Sequence, residues 1–520
     1  MIVVRSAVRR DRLLVGAWVA VLVGLVYASA AATTDLYPDP ADRVRAAEAI
    51  DRSTALVALY GPILDPQSVG ELAMTKLTVL YALAVAALAL VLVRRHTRSE
   101  EEDGRAELLA STALRRRSLL TGAVVWAGAV TLAVGALTTG ACLLGGLPAR
   151  GSVLFGASWA GVGLVGVGLT AVAAQIASTA RATAALTLGV LAAAYALRAL
   201  GDVVDGGGAL GWISPLGWTT RLRAWSEPRW WVLLLWPLLA LVLLGVARVL
   251  EQRRDLGAGL IGERLGRADG VLAGPWSLAW RTYRASLLGW TIAMVATGAV
   301  TGALAPGVGD LLDTGTGRDV LRTLGGRGAL EEALLAAIFA FAGIAVAGWG
   351  ITLVARSAAD DARGRSELLL ATAVRREDAA RVTAVAAIVP PLLLLAVAGV
   401  SATLVLAVGD GGGLLGRARQ VLPLAVAPWP AAVVIIGIAL VGGAWWRRGP
   451  TIGWSALAGA VILEDLGPLL DLPTPIARLS PFAHVPTSGD VVTGAQVAMT
   501  LLGALLALAA VRRFARRDLG

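Results

Sequence analysis

Gly104–Arg116 reads GRAELLASTALRR, and Gly364–Arg376 reads GRSELLLATAVRR. Nine of the thirteen positions are identical. Acidic residues precede both copies, Glu100 and Glu101 before the first and Asp360 and Asp361 before the second. Other repeats keep the same order. Arg253–Gly257 and Arg516–Gly520 both read RRDLG, and a weaker pair matches Ser214-Pro215 with Ser480-Pro481. Three elements recurring in one order mark an internal duplication, so two copies of one supersecondary plan are expected.

The residues around the repeats fix their setting. Of 520 residues, 57% are hydrophobic and a further 62 are glycine, with mean hydropathy +0.73. Charged residues make up 16%, against about 25% in soluble domains. This balance excludes a soluble enzyme, a disordered scaffold and a disulfide-stapled secreted domain. A single cysteine, Cys142, can form neither an internal disulfide nor a Cys-based metal cluster.

Crossing a hydrocarbon core of about 30 Å takes about 20 apolar residues in a helix. Charge-poor apolar runs lie near 13–34, 72–93, 119–144, 153–177, 183–200 and 230–247 in the first half. In the second half they lie near 286–306, 333–355, 382–408, 421–444, 451–470 and 494–511. Twelve spans are therefore predicted, six per half. An even number gives both halves the same orientation, as in parallel repeats related by an axis along the membrane normal. The expected division is a first half over 1–262, a connector over 263–274 and a second half over 275–520.

With the N-terminus in the cytoplasm, 31 of the 46 basic residues fall on the inner side. The positive-inside rule favours that orientation, with both termini cytoplasmic. The first span reads as retained rather than as a signal peptide. The net charge of +10 is then topological, and no nucleic-acid partner is expected. Each half has its longest outer loop between its first two spans, 35–71 and 307–332, and 41–59 is predicted as a short helix.

The repeated segment lies between the second and third predicted spans of each half. Glu101 and Arg105 are spaced i,i+4, and Leu108 and Thr112 continue that face, which predicts an amphipathic helix. Two readings fit it, a docking surface for a cytoplasmic partner and an interfacial helix lying against the headgroups.

A phosphate-cradling Walker A loop needs glycines followed by Lys and Ser/Thr. The one lysine, Lys76, has no glycine loop before it, so any ATP hydrolysis must come from another subunit. A proton-coupled transporter would need an ionisable group inside the membrane. The predicted spans contain almost none. Glu464, Asp465 and Asp471 read as boundary charges, and His484 is one loop histidine. Gly206–Gly208 and Gly411–Gly413 read as turn material. Gly161, Gly163, Gly166 and Gly168 read as helix-packing positions. No catalytic or metal constellation emerges.

The two acidic-GRxELL segments and the RRDLG repeat resemble permease subunits of actinobacterial ABC exporters, the group described as exporters of polyketide antibiotics (tetronasin-type). The resemblance covers nearly the whole length. It implies an all-α polytopic fold of twelve transmembrane helices, like that of type V ABC exporters. It further implies coupling helices near 100–116 and 360–376, docking on two copies of an ABC ATPase that carry the ATP and Mg. No cofactor is expected in this chain. By the resemblance, Glu100, Glu101, Gly104, Arg105, Glu107, Leu108 and Leu109 face one ATPase copy. Asp360, Asp361, Gly364, Arg365, Glu367, Leu368 and Leu369 face the other. The second copy departs in having Arg363 where the first has Asp103.

The stretch from Pro275 to Arg284 and its counterpart Val3–Arg12 would be elbow helices in the headgroup plane. Ser214-Pro215 and Ser480-Pro481 would mark turns of re-entrant elements. Trp212, Trp218, Trp225, Trp230 and Trp231 suit an aromatic belt. The function so implied is export of hydrophobic or amphipathic compounds across the cell membrane by alternating access. A proton-coupled multidrug transporter and a lipid or glycoconjugate flippase are the rival expectations.

Overall fold

A computed structural model describes residues 2–51, 54–110, 118–204, 209–255, 257–261, 274–307, 327–410, 413–446, 449–463, 473–486 and 493–516. Among them every regular element is helical. Eleven helices are long and apolar enough to cross a membrane. The predicted run 451–470 is the one without such a helix. Gly449–Val461 has 13 residues, too short to cross at about 1.5 Å per residue, and 464–472 lie outside the described residues. The run 421–444 falls within Leu414–Val426 and Trp429–Trp445. Pro428 and Pro430 sit at that break, where their missing N–H groups and ring bulk interrupt the ladder.

Two local expectations are corrected. Ile2–Leu36 and Pro275–Leu304 are each continuous, so neither Val3–Arg12 nor the stretch after Pro275 forms a separate elbow. Pro275 stands at the start of its helix, where its fixed φ is suited, and no breaker follows it. The predicted helix over 41–59 is helical over Pro40–Asp51 and Thr54–Tyr60, and residues 52 and 53 lie outside the described residues. The coupling helix predicted near 100–116 is split. Arg98–Glu102 and Arg105–Ala110 flank Gly104, whose φ of +71° is readily open only to glycine. Residues 111–117 lie outside the described residues. Gly364 repeats the device, with φ +70° between Arg327–Ala362 and Arg365–Leu370.

The chain divides into two compact units, Met1–Gly266 and Arg267–Gly520. In the first, Ala149–Ile176 packs against Leu80–Arg95, Ser118–Leu144 and Leu235–Arg253. Its glycines make that possible. A Cβ on Gly161 would strike Trp236, one on Gly166 the backbone of Ala86, and one on Gly168 Leu243. Lipid tails are as apolar as leucine, so close approach and the dispersion it brings hold such helices together. In the second unit Trp429–Trp445 packs against Arg327–Ala362, Gly449–Val461 and Gly494–Ala515, with Gly437 seated on Leu506. The first helix of each unit lies along the third span helix, Ile2–Leu36 on Ser118–Leu144 and Pro275–Leu304 on Arg376–Asp410. The internal packing scheme is thus repeated, as the duplicated sequence requires.

Candidate functional site: the two repeat segments

In the first unit the repeat segment is held by charge pairs. Glu100 is buried and accepts from Arg10 at 2.6 Å and from Arg105 at 2.7 Å. Arg105 also reaches Asp103 at 2.6 Å, and the hydrogen bond to Glu100 raises its pKa further. The predicted i,i+4 partner Glu101 is not its neighbour, because the left-handed turn at Gly104 rotates Arg105 onto Glu100 and Asp103 instead. Glu101 pairs with Arg98 at 2.8 Å and with Arg254 at 2.6 Å.

Those two arginines anchor the segment to the end of Ala149–Ile176. The Arg98 side chain is wholly buried, and its Nε donates to the Ala174 carbonyl at 2.5 Å. Its Nη2 donates to Ala258 O at 3.0 Å. Arg254 Nε donates to Gln175 Oε1 at 2.6 Å. Glu102 accepts from the Ala180 amide at 2.7 Å. Of the residues predicted to face an ATPase, Glu100 and Glu101 therefore turn inward. Glu107 and Leu108 lie on the surface, Leu108 with 71% of its area exposed. Leu109 belongs to the same short helix, Arg105–Ala110.

The second unit keeps the segment and holds it through other contacts among the described residues. Asp360 and Asp361 lie near the end of Arg327–Ala362. Asp360 pairs with Arg365 at 3.2 Å, with both side chains largely in solvent, and Asp361 accepts from Ser366 Oγ. Glu367 and Leu368 are exposed, Leu368 by 75%, at the register of Glu107 and Leu108. Leu369 turns toward a cavity of about 380 Å³. Helix ends from the same unit form the rest of its wall, with Leu278, Val354, Leu440, Val511 and Phe514 among the lining residues.

Sequence reading missed Arg10, Arg98, Gln175 and Arg254. The RRDLG repeat carried a signal for Arg254. Arg98 carried none, since Ala358 occupies its place in the second copy.

The expectation of spans nearly free of ionisable groups also needs correcting. Arg198 and Asp202 form a fully buried pair at 3.1 Å within Ala180–Val204. It survives burial because Arg198 also donates to Ala58 O and Leu59 O near the end of Thr54–Tyr60. Asp11 is buried against His96 at 2.6 Å and Trp126 at 3.0 Å. Glu71, beside the start of the second span, is half-buried, and desolvation pushes its carboxyl up to about 7. Glu464, Asp465 and Asp471 lie outside the described residues. His484 Nε2 lies 2.9 Å from the Arg478 carbonyl. Among the described residues no group of three or more His, Cys, Asp or Glu could hold a metal ion.

Two of the tryptophans expected at an interface pack on each other. Trp212 stacks on Trp231 with centroids 5.3 Å apart. Trp225 presses against Gly70 and Gly151, where any Cβ would meet its ring. Ser214 Oγ donates to Ala194 O at 2.6 Å and Trp236 Nε1 to Pro215 O at 3.0 Å. These bonds fix a helical turn between Ala209–Ile213 and Gly217–Arg221. Ser480-Pro481 precedes a single 3-10 turn, Phe482–His484.

Two comparisons bear on this architecture. The family model described as "Multidrug efflux system permease Rv1217c, C-terminal domain" matches residues 3–250 and again 272–515, once in each unit. The chain is also 38% identical over 530 residues to the "Multidrug efflux system permease protein Rv1217c" of Mycobacterium tuberculosis (strain H37Rv). That match covers 99% of this chain and 94% of the relative.

Proposed function

The chain belongs to the family of multidrug efflux system permeases, and on that premise we propose that it is the membrane subunit of an ATP-driven exporter. Two copies of an ABC ATPase would dock on the repeat segments and carry the ATP and Mg. The observation that carries this reading is the exposed Glu-Leu pair, Glu107-Leu108 and Glu367-Leu368, presented twice at one register after a left-handed glycine. An exposed leucine flanked by charge is a poor surface for water and a good one for a partner's pocket.

The remaining parts of the reading follow from the sequence. Twelve spans, in halves over 1–262 and 275–520 joined by 263–274, would stand as parallel repeats with both termini in the cytoplasm, where most arginines lie. ATPase closure would push both segments and switch access from the inner to the outer side. The cargo would be hydrophobic or amphipathic compounds, including antibiotics. A flippase moving lipid or glycoconjugate would share this plan and differ in cargo alone.

One observation favours the proton-coupled alternative. Glu71 is a half-buried carboxyl whose pKa is pushed up to about 7. It lies at one end of its span and not midway, so it suits a local structural role better than a relay across the bilayer.

The test is isolation of the tagged chain from its native membranes, followed by ATPase assay of the complex. The wild type is expected to bring down an ATP-hydrolysing subunit at two copies per chain. Leu108→Asp together with Leu368→Asp is expected to lose it while keeping the wild-type thermal transition. A chain that purifies alone and drives proton-dependent efflux in proteoliposomes contradicts the reading.

A further inference from the structure

The first helix of each unit carries a repeat of its own. Arg9, Arg12 and Trp18 in Ile2–Leu36 recur at the same intervals as Arg281, Arg284 and Trp290 in Pro275–Leu304. The two parts of the pattern face opposite ways. Trp18 and Trp290 pack against the cores of their units, whereas all four arginines are exposed. Arg5, also exposed, extends the first stripe. On a helix of 3.6 residues per turn, positions 5, 9 and 12 fall within about 60° of arc.

These arginines are not spent on acids. None of Arg5, Arg9, Arg12, Arg281 and Arg284 has a hydrogen bond or ion pair among the described residues. Arg10, which points elsewhere, is the one that reaches Glu100. Asp11 is buried against His96 and Trp126, and Pro275–Leu304 contains no acidic residue. Topology accounts for the number of arginines at this end of a span but not for their alignment. Like charges three and four residues apart destabilise a helix unless an anion lies against them.

The exposed face continues past the arginines into the span. Leu13, Ala17, Ala20 and Val21 follow on the first helix, and Leu288, Ile292 and Val295 on the second, all exposed. Trp276 and Trp280, also exposed, stand two turns and one turn before Arg284, as tryptophans do at headgroup level. A ligand matched to such a face has an anionic head and a long apolar body.

We propose that the first helix of each unit binds an anionic phospholipid. Its phosphate would lie against Arg9 and Arg12 in one half and Arg281 and Arg284 in the other, with the acyl chains along the apolar face that follows. A guanidinium presents paired N–H donors that fit phosphate oxygens. The ammonium of a zwitterionic headgroup would face the same arginines, so a net negative lipid is preferred. An acidic peptide or a nucleic acid would meet the arginines and leave the apolar face unmatched. Each helix runs unbroken from its arginines into its span, so a lipid held there would fix the depth of that helix. The binding claim does not require an ATPase to dock.

The test uses the purified full chain in neutral detergent. It is titrated with phosphatidylglycerol and with phosphatidylcholine of the same acyl chains, and native mass spectrometry counts the lipids retained. The wild type is expected to hold one phosphatidylglycerol per half, at least about fivefold more tightly than phosphatidylcholine. Arg9→Gln with Arg12→Gln is expected to lose one of these lipids, and Arg281→Gln with Arg284→Gln the other. Arg512→Gln with Arg513→Gln removes the same charge from the end of Gly494–Ala515 and is expected to keep both. Arg9→Gln alone should weaken one lipid about fivefold, and it decides the matter if the double variant does not fold. Equal retention of the two lipids by the wild type overturns the proposal. So does wild-type retention in a folded Arg9 and Arg12 variant, or an equal loss in the Arg512 and Arg513 variant. Displacement of the lipid by an equal concentration of glycerol phosphate also overturns it, because that result marks a site for a free anion.

Discussion

The two repeat segments have nearly the same sequence and different mechanical settings. In the first half, Glu101 ties together Arg98 and Arg254, and both arginines hold the end of Ala149–Ile176. In the second half, the corresponding acid bonds a serine among other partners, the neighbouring Asp360–Arg365 pair stands in solvent, and Ala358 takes the place of Arg98 on the wall of a cavity. Duplication copied the surface presented after the glycine and let the support beneath it diverge. A partner docked as proposed would press on the end of Ala149–Ile176 through Arg98 and Arg254.

The largest effect is expected where a buried pair is broken. Arg98→Ala leaves Glu101 short of a partner and the Ala174 carbonyl without its donor, and should cost the first half about 3 kcal/mol. A drop of several degrees in the tryptophan-fluorescence melting transition would report it. Ala358→Ser, the counterpart change on a cavity wall, should leave that transition in place. Equal shifts would erase the contrast between the halves.

A smaller effect is expected at the acids. Glu101→Gln keeps the shape but removes a charge facing two arginines, and should cost about 2 kcal/mol. Asp361→Asn should cost about 0.5 kcal/mol, within the range of partly exposed pairs. A double-mutant cycle between Arg98 and Glu101 should give a coupling of about 1–3 kcal/mol, and additivity within error would contradict the brace. The smallest effect belongs to Arg365→Ala. Its pair with Asp360 is in solvent, so the melting transition should be unchanged at physiological salt, whereas Arg105→Ala should lower it measurably because Glu100 is buried.

Much of this was legible in the sequence. Eleven of twelve apolar runs are matched by helices of spanning length, and the duplication announced itself in GRxELL and RRDLG. The break at Gly104 was not read, because a glycine amid helix-forming residues gives no sign of a left-handed φ until the chain on both sides is placed. The brace was not legible for a different reason. Arg98 reaches a carbonyl 76 residues away, and Arg254 a carboxylate 153 residues away, and periodicity is silent about such pairs. In composition Arg98 is one more arginine at a span end, like those the positive-inside rule explains. Its special place shows only in the comparison with Ala358. Buried Arg198 and Asp202 were missed similarly, since the carbonyls of Ala58 and Leu59 that Arg198 also holds belong to a helix far upstream.

Hydrogen exchange on the full chain, alone and with the proposed ATPase bound, tests the asymmetry most directly. Residues 98–110 should be strongly protected in the chain alone and gain little from the partner. Residues 360–370 should exchange at least tenfold faster in the chain alone and become protected when the ATPase docks. Equal protection of the two segments before docking would contradict the account, as would failure of 360–370 to respond to the partner.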